Sequence, residues 1–239
     1  MKLALVLSIL LLFAGGVASK ESEPCQCGSG FVDYCKISGG APEGTHFARC
    51  YSMIHVGERP YEYQGEKKTK NSLWVWFELP TEMRVFKEEL GEQPMSINIE
   101  YNHVPYETAK IIKHINSWRG KALSPQEIDD FDVSTLLGQP CMITIVHNTS
   151  AATGKTYANI NTISGIPKGL EAPKQINKSY LFDYNDNFDL PNMENNVPQF
   201  LQDIMKDTPD WKEKMNETTA NNNQDTSHPD LNTGDDLPF

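Results

Sequence analysis

Three observations predict a mainly β fold, a five-stranded barrel carrying one interposed helix. Segments of alternating polarity run through residues 44–164, the period of half-buried strands. A helical period interrupts them once, after the third segment. Gly-containing turns separate the segments at hairpin spacing.

The elements follow in order. "GTHFARCYSMIHV" (Gly44–Val56) reads as a long strand, bent or bulged. "ERPYEYQGEKKTKN" (Glu58–Asn71) reads as a polar connection with Gly65 at its tip. "SLWVWFELP" (Ser72–Pro80) is the clearest strand, with Leu73, Val75, Phe77 and Leu79 on one face and Trp74, Trp76 and Glu78 on the other. "MSINIEY" (Met95–Tyr101) alternates again, with Ser96, Asn98 and Glu100 outward. The period then changes. Ala109, Ile112, Ile115 and Trp118 recur at helical spacing and Gly120 supplies a stop. Ser124-Pro125-Gln126-Glu127 starts a short second helix with Ser124 as its cap. "CMITIVH" (Cys141–His147) and "TYANINTIS" (Thr156–Ser164) are strands joined by a Gly-containing hairpin.

Strand, strand, strand, helix, strand, strand is the order of the oligonucleotide-binding (OB) barrel, a partly open Greek-key barrel. An open α+β sheet is the alternative arrangement. The barrel domain spans 39–170, and 171–215 form an extension in which Phe200, Leu201 and Ile204 mark one face of a short helix. Residues 216–239 are a polar, Asn/Asp-rich tail read as disordered. At the front, residues 1–19 carry an apolar run of secretory-signal type, with cleavage expected near Ala18 or Ser19; a mis-assigned translation start is the other explanation. Residues 20–38 are a loose linker holding Cys25, Cys27 and Cys35.

The formal charge of −11 is unevenly placed. From Tyr180 onward there are 13 acidic and 3 basic residues, so the rest of the chain is nearly neutral. A nearly neutral body can carry a basic groove, and whole-chain charge does not decide the partner. Five cysteines, an odd number, do not make a closed disulfide framework. Cys50 and Cys141 lie within strand patterns and read as buried thiols.

Nothing in the sequence nominates an enzyme, cofactor or metal. "ATGKTY" lacks the first Gly of a phosphate loop and precedes a strand rather than a helix. The histidines have no ligand spacing. The candidate binding residues are aromatic and basic. Trp74 and Trp76, if exposed, are stacking platforms for unpaired bases; packing under the helix or the C-terminal segment is the alternative for both. Tyr61, Tyr63, Lys67, Lys68 and Lys70 interleave ring and charge in one connection. Arg49 and Tyr51 on the first strand, and Lys155 and Tyr157 at the last hairpin, complete the expected groove.

The chain ends Asp235-Asp236-Leu237-Pro238-Phe239. This "DDLPF" resembles the acidic tip of bacterial single-stranded DNA-binding proteins, which implies recruitment of replication and repair enzymes. "GTHFARC", "SWRGKALSPQEIDDFD", "LLGQPCMITIVH" and "KTYANINTISGIPKG" resemble a family of phage proteins found near replication genes. That resemblance implies an OB barrel and a single-stranded DNA-binding role in replication and recombination, inside an infected bacterial cell, and is compatible with a homo-oligomer. It implies no catalytic residues. The front departs from it. A genuine signal segment implies secretion, and a secreted OB-fold binding or inhibitory module is the alternative function. "CQC" resembles the Cys-x-Cys start of the tissue inhibitors of metalloproteinases, and Asn148, Asn177 and Asn216 stand in glycosylation sequons.

Overall fold

The computed structural model describes residues 40–151, 153–186 and 188–216. The signal-like run, Cys25, Cys27, Cys35 and the Asp235–Phe239 tip lie outside the described residues. The protein is mainly β. Strands β1 (Gly44–Tyr63), β2 (Glu66–Val85), β3 (Glu92–Asn102), β4 (Pro140–Thr149), β5 (Thr156–Ser164) and β6 (Tyr180–Asp183) form one six-stranded sheet. The path runs β3-β2-β1-β4-β5 through antiparallel ladders, and β6 joins β1 in parallel. The two ends of the path, β3 and β5, approach each other, but no ladder joins them among the described residues.

β1 organises the sheet. Its first part, Gly44 to Arg49, pairs with β4, and Ser52 to His55 pair with β6. A bulge lies between Cys50 and Ser52, where Tyr51 and Ser52 together oppose Trp76. The extra residue turns the strand and shifts its alternation. Cys50 and Met53 therefore enter one core, and Tyr51, Ile54 and Val56 enter a second on the opposite face.

The first core holds the inward residues of β1–β5 and the apolar face of α1 (Lys110–Arg119). Ile111, Ile112, Ile115 and Trp118 supply that face, and the Trp118 indole donates to the Pro140 carbonyl at 2.8 Å. Gly120 ends the helix in a left-handed conformation, as expected. Ser124 caps α2 (Pro125–Asp129) through a reciprocal box with Glu127. Cys50 and Cys141 are buried as free thiols, and desolvation pushes both pKa values up.

A second core realises the alternative in which the C-terminal segment covers the tryptophans. β6, α3 (Leu190–Asn196), α4 (Gln199–Lys206) and the helical turns at 211–216 lie over the outer face of β1 and β2. The expected helix face is met in part: Leu201 and Met205 are fully buried, and Phe200 and Ile204 pack at the margin.

The polar connection Glu58–Asn71 is itself strand. β1 and β2 run past the sheet as a two-stranded ribbon closed by Gln64 and Gly65, with φ of 53° and 80°. Two left-handed residues make the mirror-image turn whose twist matches the strands. At the ribbon's base, Gly57 has a φ of 78°, and a Cβ there would lie 2.6 Å from the Tyr184 ring. Gly57→Ala is expected to destabilise the protein by about 2–4 kcal/mol, combining backbone strain with overpacking. Gly65→Ala, with nothing near its Cβ, is expected to cost only about 1 kcal/mol. Urea unfolding of both variants checks the contrast.

Candidate nucleic-acid interface

Trp74 and Trp76 point to the outer face, as their alternation predicts, but that face is not free. Trp76 is only 3 % exposed in the second core. Trp74 is half-buried, and the Phe200 ring of α4 meets it edge-on at 5.3 Å between centroids. Neither indole is an open stacking platform. The cause is the C-terminal extension, whose apolar residues need a sheet face to cover them.

Arg49 and Tyr51 are corrected for similar reasons. Arg49 Nε donates to the Pro173 carbonyl at 2.6 Å, and Nη1 donates to Gly138 O at 2.9 Å. Its cross-strand neighbour Glu78 is fully buried and accepts from the Ile176 and Asn177 amides at 2.7 Å each. Together they pin residues 173–177 to the sheet. Tyr51 is buried in the second core.

The ribbon carries the remaining cluster. Arg59 stands opposite Lys70, Tyr61 opposite Lys68, and Tyr63 opposite Glu66. Side chains two apart share a face, so Arg59, Tyr61, Tyr63, Lys68 and Lys70 line one side. The strand twist brings diagonal neighbours together. Lys68 Nζ sits 5.4 Å from the Tyr63 ring centroid, and Lys70 Nζ sits 5.9 Å from that of Tyr61. Tyr63 is 55 % exposed. Lys68 also pairs with Glu66 at 3.1 Å, an exposed contact of little energy. Lys67 is exposed on the ribbon's other face, opposite Glu62. Lys155 and Tyr157 are exposed, but the ladders put the β4–β5 hairpin at the Gly44 end of β1, away from the ribbon.

Sequence reasoning missed Arg59, Ser72 and Glu100. Glu100 Oε1 accepts from Arg59 Nη2 at 2.6 Å, Lys70 Nζ at 2.7 Å and Ser72 Oγ at 2.8 Å. Burial alone pushes its carboxyl up, but the bonds from Lys70, Arg59 and Ser72 outweigh that and hold it below the usual range. The signal was present. Arg59, Tyr61 and Tyr63 alternate, as do Lys68, Lys70 and Ser72, once the connection is read as strand.

A second polar junction sits beside Gly57. His55 Nδ1 lies 3.0 Å from Asp183 Oδ1, and Nε2 contacts Asn71 Oδ1. The His103 ring stands edge-on at 6.0 Å. Burial pulls the His55 pKa down, but the bonds to Asp183 and Asn71 and the charges of Asp183 and Asp186 raise it overall. Burial pushes Asp183 up, yet His55 and the Asp186 and Asn185 amides hold it at about 2. His103 is lowered by burial and by the His55 charge.

No group of three or more His, Cys, Asp or Glu among the described residues is placed to hold a metal. No helix among them is long and apolar enough to cross a membrane. The Asn177 side-chain nitrogen is buried, so that sequon is closed to a glycan in the folded state.

The junction gives a signed pH dependence. The raised His55 value contributes stability in full below its unfolded pKa of 6.5, lost as pH rises through the folded value. The lowered Asp183 value contributes above 3.8, lost as pH falls toward 2. The pair is therefore strongest between those limits. His103 has the opposite sign and loses stability as pH falls below 6.5. The stability gap between wild type and His55→Gln is expected to be larger at about pH 5.5 than at about pH 8.5, by up to ~1 kcal/mol with the Asp183 side chain 32 % exposed. Thermal unfolding at both pH values measures it.

Comparison of the chain with protein-family models, with curated proteins and with solved structures finds no match.

Proposed function

We propose that this protein is a non-catalytic single-stranded DNA-binding protein of phage type, acting in the bacterial cytoplasm in replication and recombination. The observation that carries the reading is the ribbon face, where Tyr61 and Tyr63 alternate with Lys68, Lys70 and Arg59. Rings give every base a stacking surface whatever its identity, and the cations give the backbone a charge partner. The strand path β3-β2-β1-β4-β5, with α1 between β3 and β4, supports an OB-type barrel beneath it. In that architecture the ribbon is the connection between strands one and two, a customary site of oligonucleotide contact.

The binding residues of this reading differ from the first expectation. Tyr61, Tyr63, Lys67, Lys68 and Lys70 remain, joined by Arg59. Trp74, Trp76, Arg49 and Tyr51 become structural. The acidic tail offers Asp235–Phe239 to a partner enzyme, the ring filling a pocket and the acidic side chains meeting basic groups. Its charge also repels DNA and weakens binding until a partner takes it.

The test is fluorescence anisotropy of a labelled oligo-dT with the full chain, from low to high salt. Binding should weaken with salt at a slope of about −0.7 per neutralised phosphate. Tyr61→Ala and Tyr63→Ala should each cost about 1–3 kcal/mol of affinity. Tryptophan emission should change little, because α4 covers Trp74 and the core encloses Trp76. Unchanged affinity in a Tyr61→Ala/Tyr63→Ala double variant would take the ribbon out of the reading. Deleting Asp235–Phe239 should leave or raise DNA affinity and abolish capture of replication enzymes; equal capture by the truncated chain would remove the hook.

A further inference from the structure

The ribbon's two basal cations are not available as they stand. Arg59 and Lys70 both end on one oxygen of Glu100, at 2.6 Å and 2.7 Å. Ser72 Oγ donates to the same oxygen at 2.8 Å and accepts from Arg59 Nε at 3.2 Å. The three charged side chains are 22–24 % exposed, so solvent, and a backbone phosphate, can reach them. Glu100 presents them with what a phosphate would present, an anionic oxygen accepting from a guanidinium and an ammonium.

We propose that Glu100 is an internal phosphate mimic, which occupies Arg59 and Lys70 in the free protein and competes with the DNA backbone for them. This rests on the DNA-binding reading and adds to it the group that sets the affinity. Partly exposed ion pairs are weak, so a strand already held by Tyr61, Tyr63 and Lys68 can displace the carboxylate. The competition lowers affinity and keeps the grip reversible, which a protein that must be cleared from its strand requires. Glu100 acts through the two cations and is a positioning residue, not a DNA contact. It also fixes the ribbon's angle, since Arg59 is on β1, Lys70 and Ser72 on β2, and Glu100 on β3.

The experiment is the oligo-dT titration over a salt series with the full-length wild type, Glu100→Gln, Lys70→Gln and the double variant. Gln keeps one oxygen acceptor for Ser72, Arg59 and Lys70, removes the charge and turns the second oxygen into an amide donor. Glu100→Gln should tighten binding about three- to tenfold and steepen the salt slope by about 0.7, one further phosphate. Lys70→Gln should cost less in the wild type, where the Glu100 charge offsets one of the two cations, than in the Glu100→Gln background. If Glu100→Gln folds poorly, the wild-type background decides alone: Lys70→Gln must cost less than Lys68→Gln. Unchanged or weaker binding by folded Glu100→Gln, or equal costs of Lys70→Gln in both backgrounds, overturns the mimic and leaves the DNA-binding reading standing. Absence of salt-sensitive binding by the wild type removes both.

Discussion

The middle of β1 is buried on both faces and hydrogen-bonded along both edges, and the rest of the structure depends on it. Met53 enters the first core, while Tyr51, Ile54 and Val56 enter the second. β2 takes one edge, and β4 and then β6 take the other. A fully buried side chain of this size contributes about 1.5–3 kcal/mol, so these residues bind two layers into one body. The bulge at Tyr51 lets one strand serve both. Without it, Cys50 and Met53 would fall on opposite faces, and one core would lose its residue.

The double burial also explains where the binding chemistry lies. Once β6, α3 and α4 dock on the outer face, Trp74 and Trp76 pack with Phe200 and the other residues of that core. Uncovering them for a nucleic acid would mean lifting Leu201 and Met205, both fully buried, together with Tyr184, whose hydroxyl lies 2.7 Å from Thr208 Oγ1. That cost exceeds the roughly 1–3 kcal/mol a stacked base returns. The aromatic and basic groups that remain accessible together are on the ribbon, which runs beyond the cover.

Much of the fold was legible because Leu73–Leu79 of β2 and Met95–Tyr101 of β3 alternate with period two in the sequence, and because Gly120 and the Ser124–Glu127 box mark helix ends by chemistry rather than by propensity. The ribbon was misread because its residues are polar on both faces, and alternation of hydrophobicity is silent in a strand with no buried face. β6 was missed because four residues, "YLFD", are too short for a periodic signal, and its pairing with β1 depends on β4 beginning only at Pro140, opposite Arg49, which leaves the edge of Ser52–His55 open. The site was legible as composition, Tyr and Lys in one connection, but not as geometry. Glu100 lies 41 residues from Arg59 in sequence, and no local pattern announces their contact. The tryptophans misled because an outward residue is exposed only if nothing else in the chain covers it.

The ribbon's stability follows from the same geometry. A lone two-stranded ribbon is marginal in water. This one is fastened at its base, by the Glu100 cluster on one side and by His55 bridging Asn71 to Asp183 on the other. Beyond those fastenings the ladder, the Gln64-Gly65 turn, the exposed Lys68–Glu66 pair and two ring–cation diagonals hold it. Contacts of that kind contribute about 0.5–1 kcal/mol each when exposed, of the same order as the cost of ordering one residue. The distal ribbon is therefore the part of the body best able to reshape around a strand, while its base keeps a fixed angle to the sheet. A fixed base with an adaptable end suits a ligand whose backbone is regular and whose bases are not.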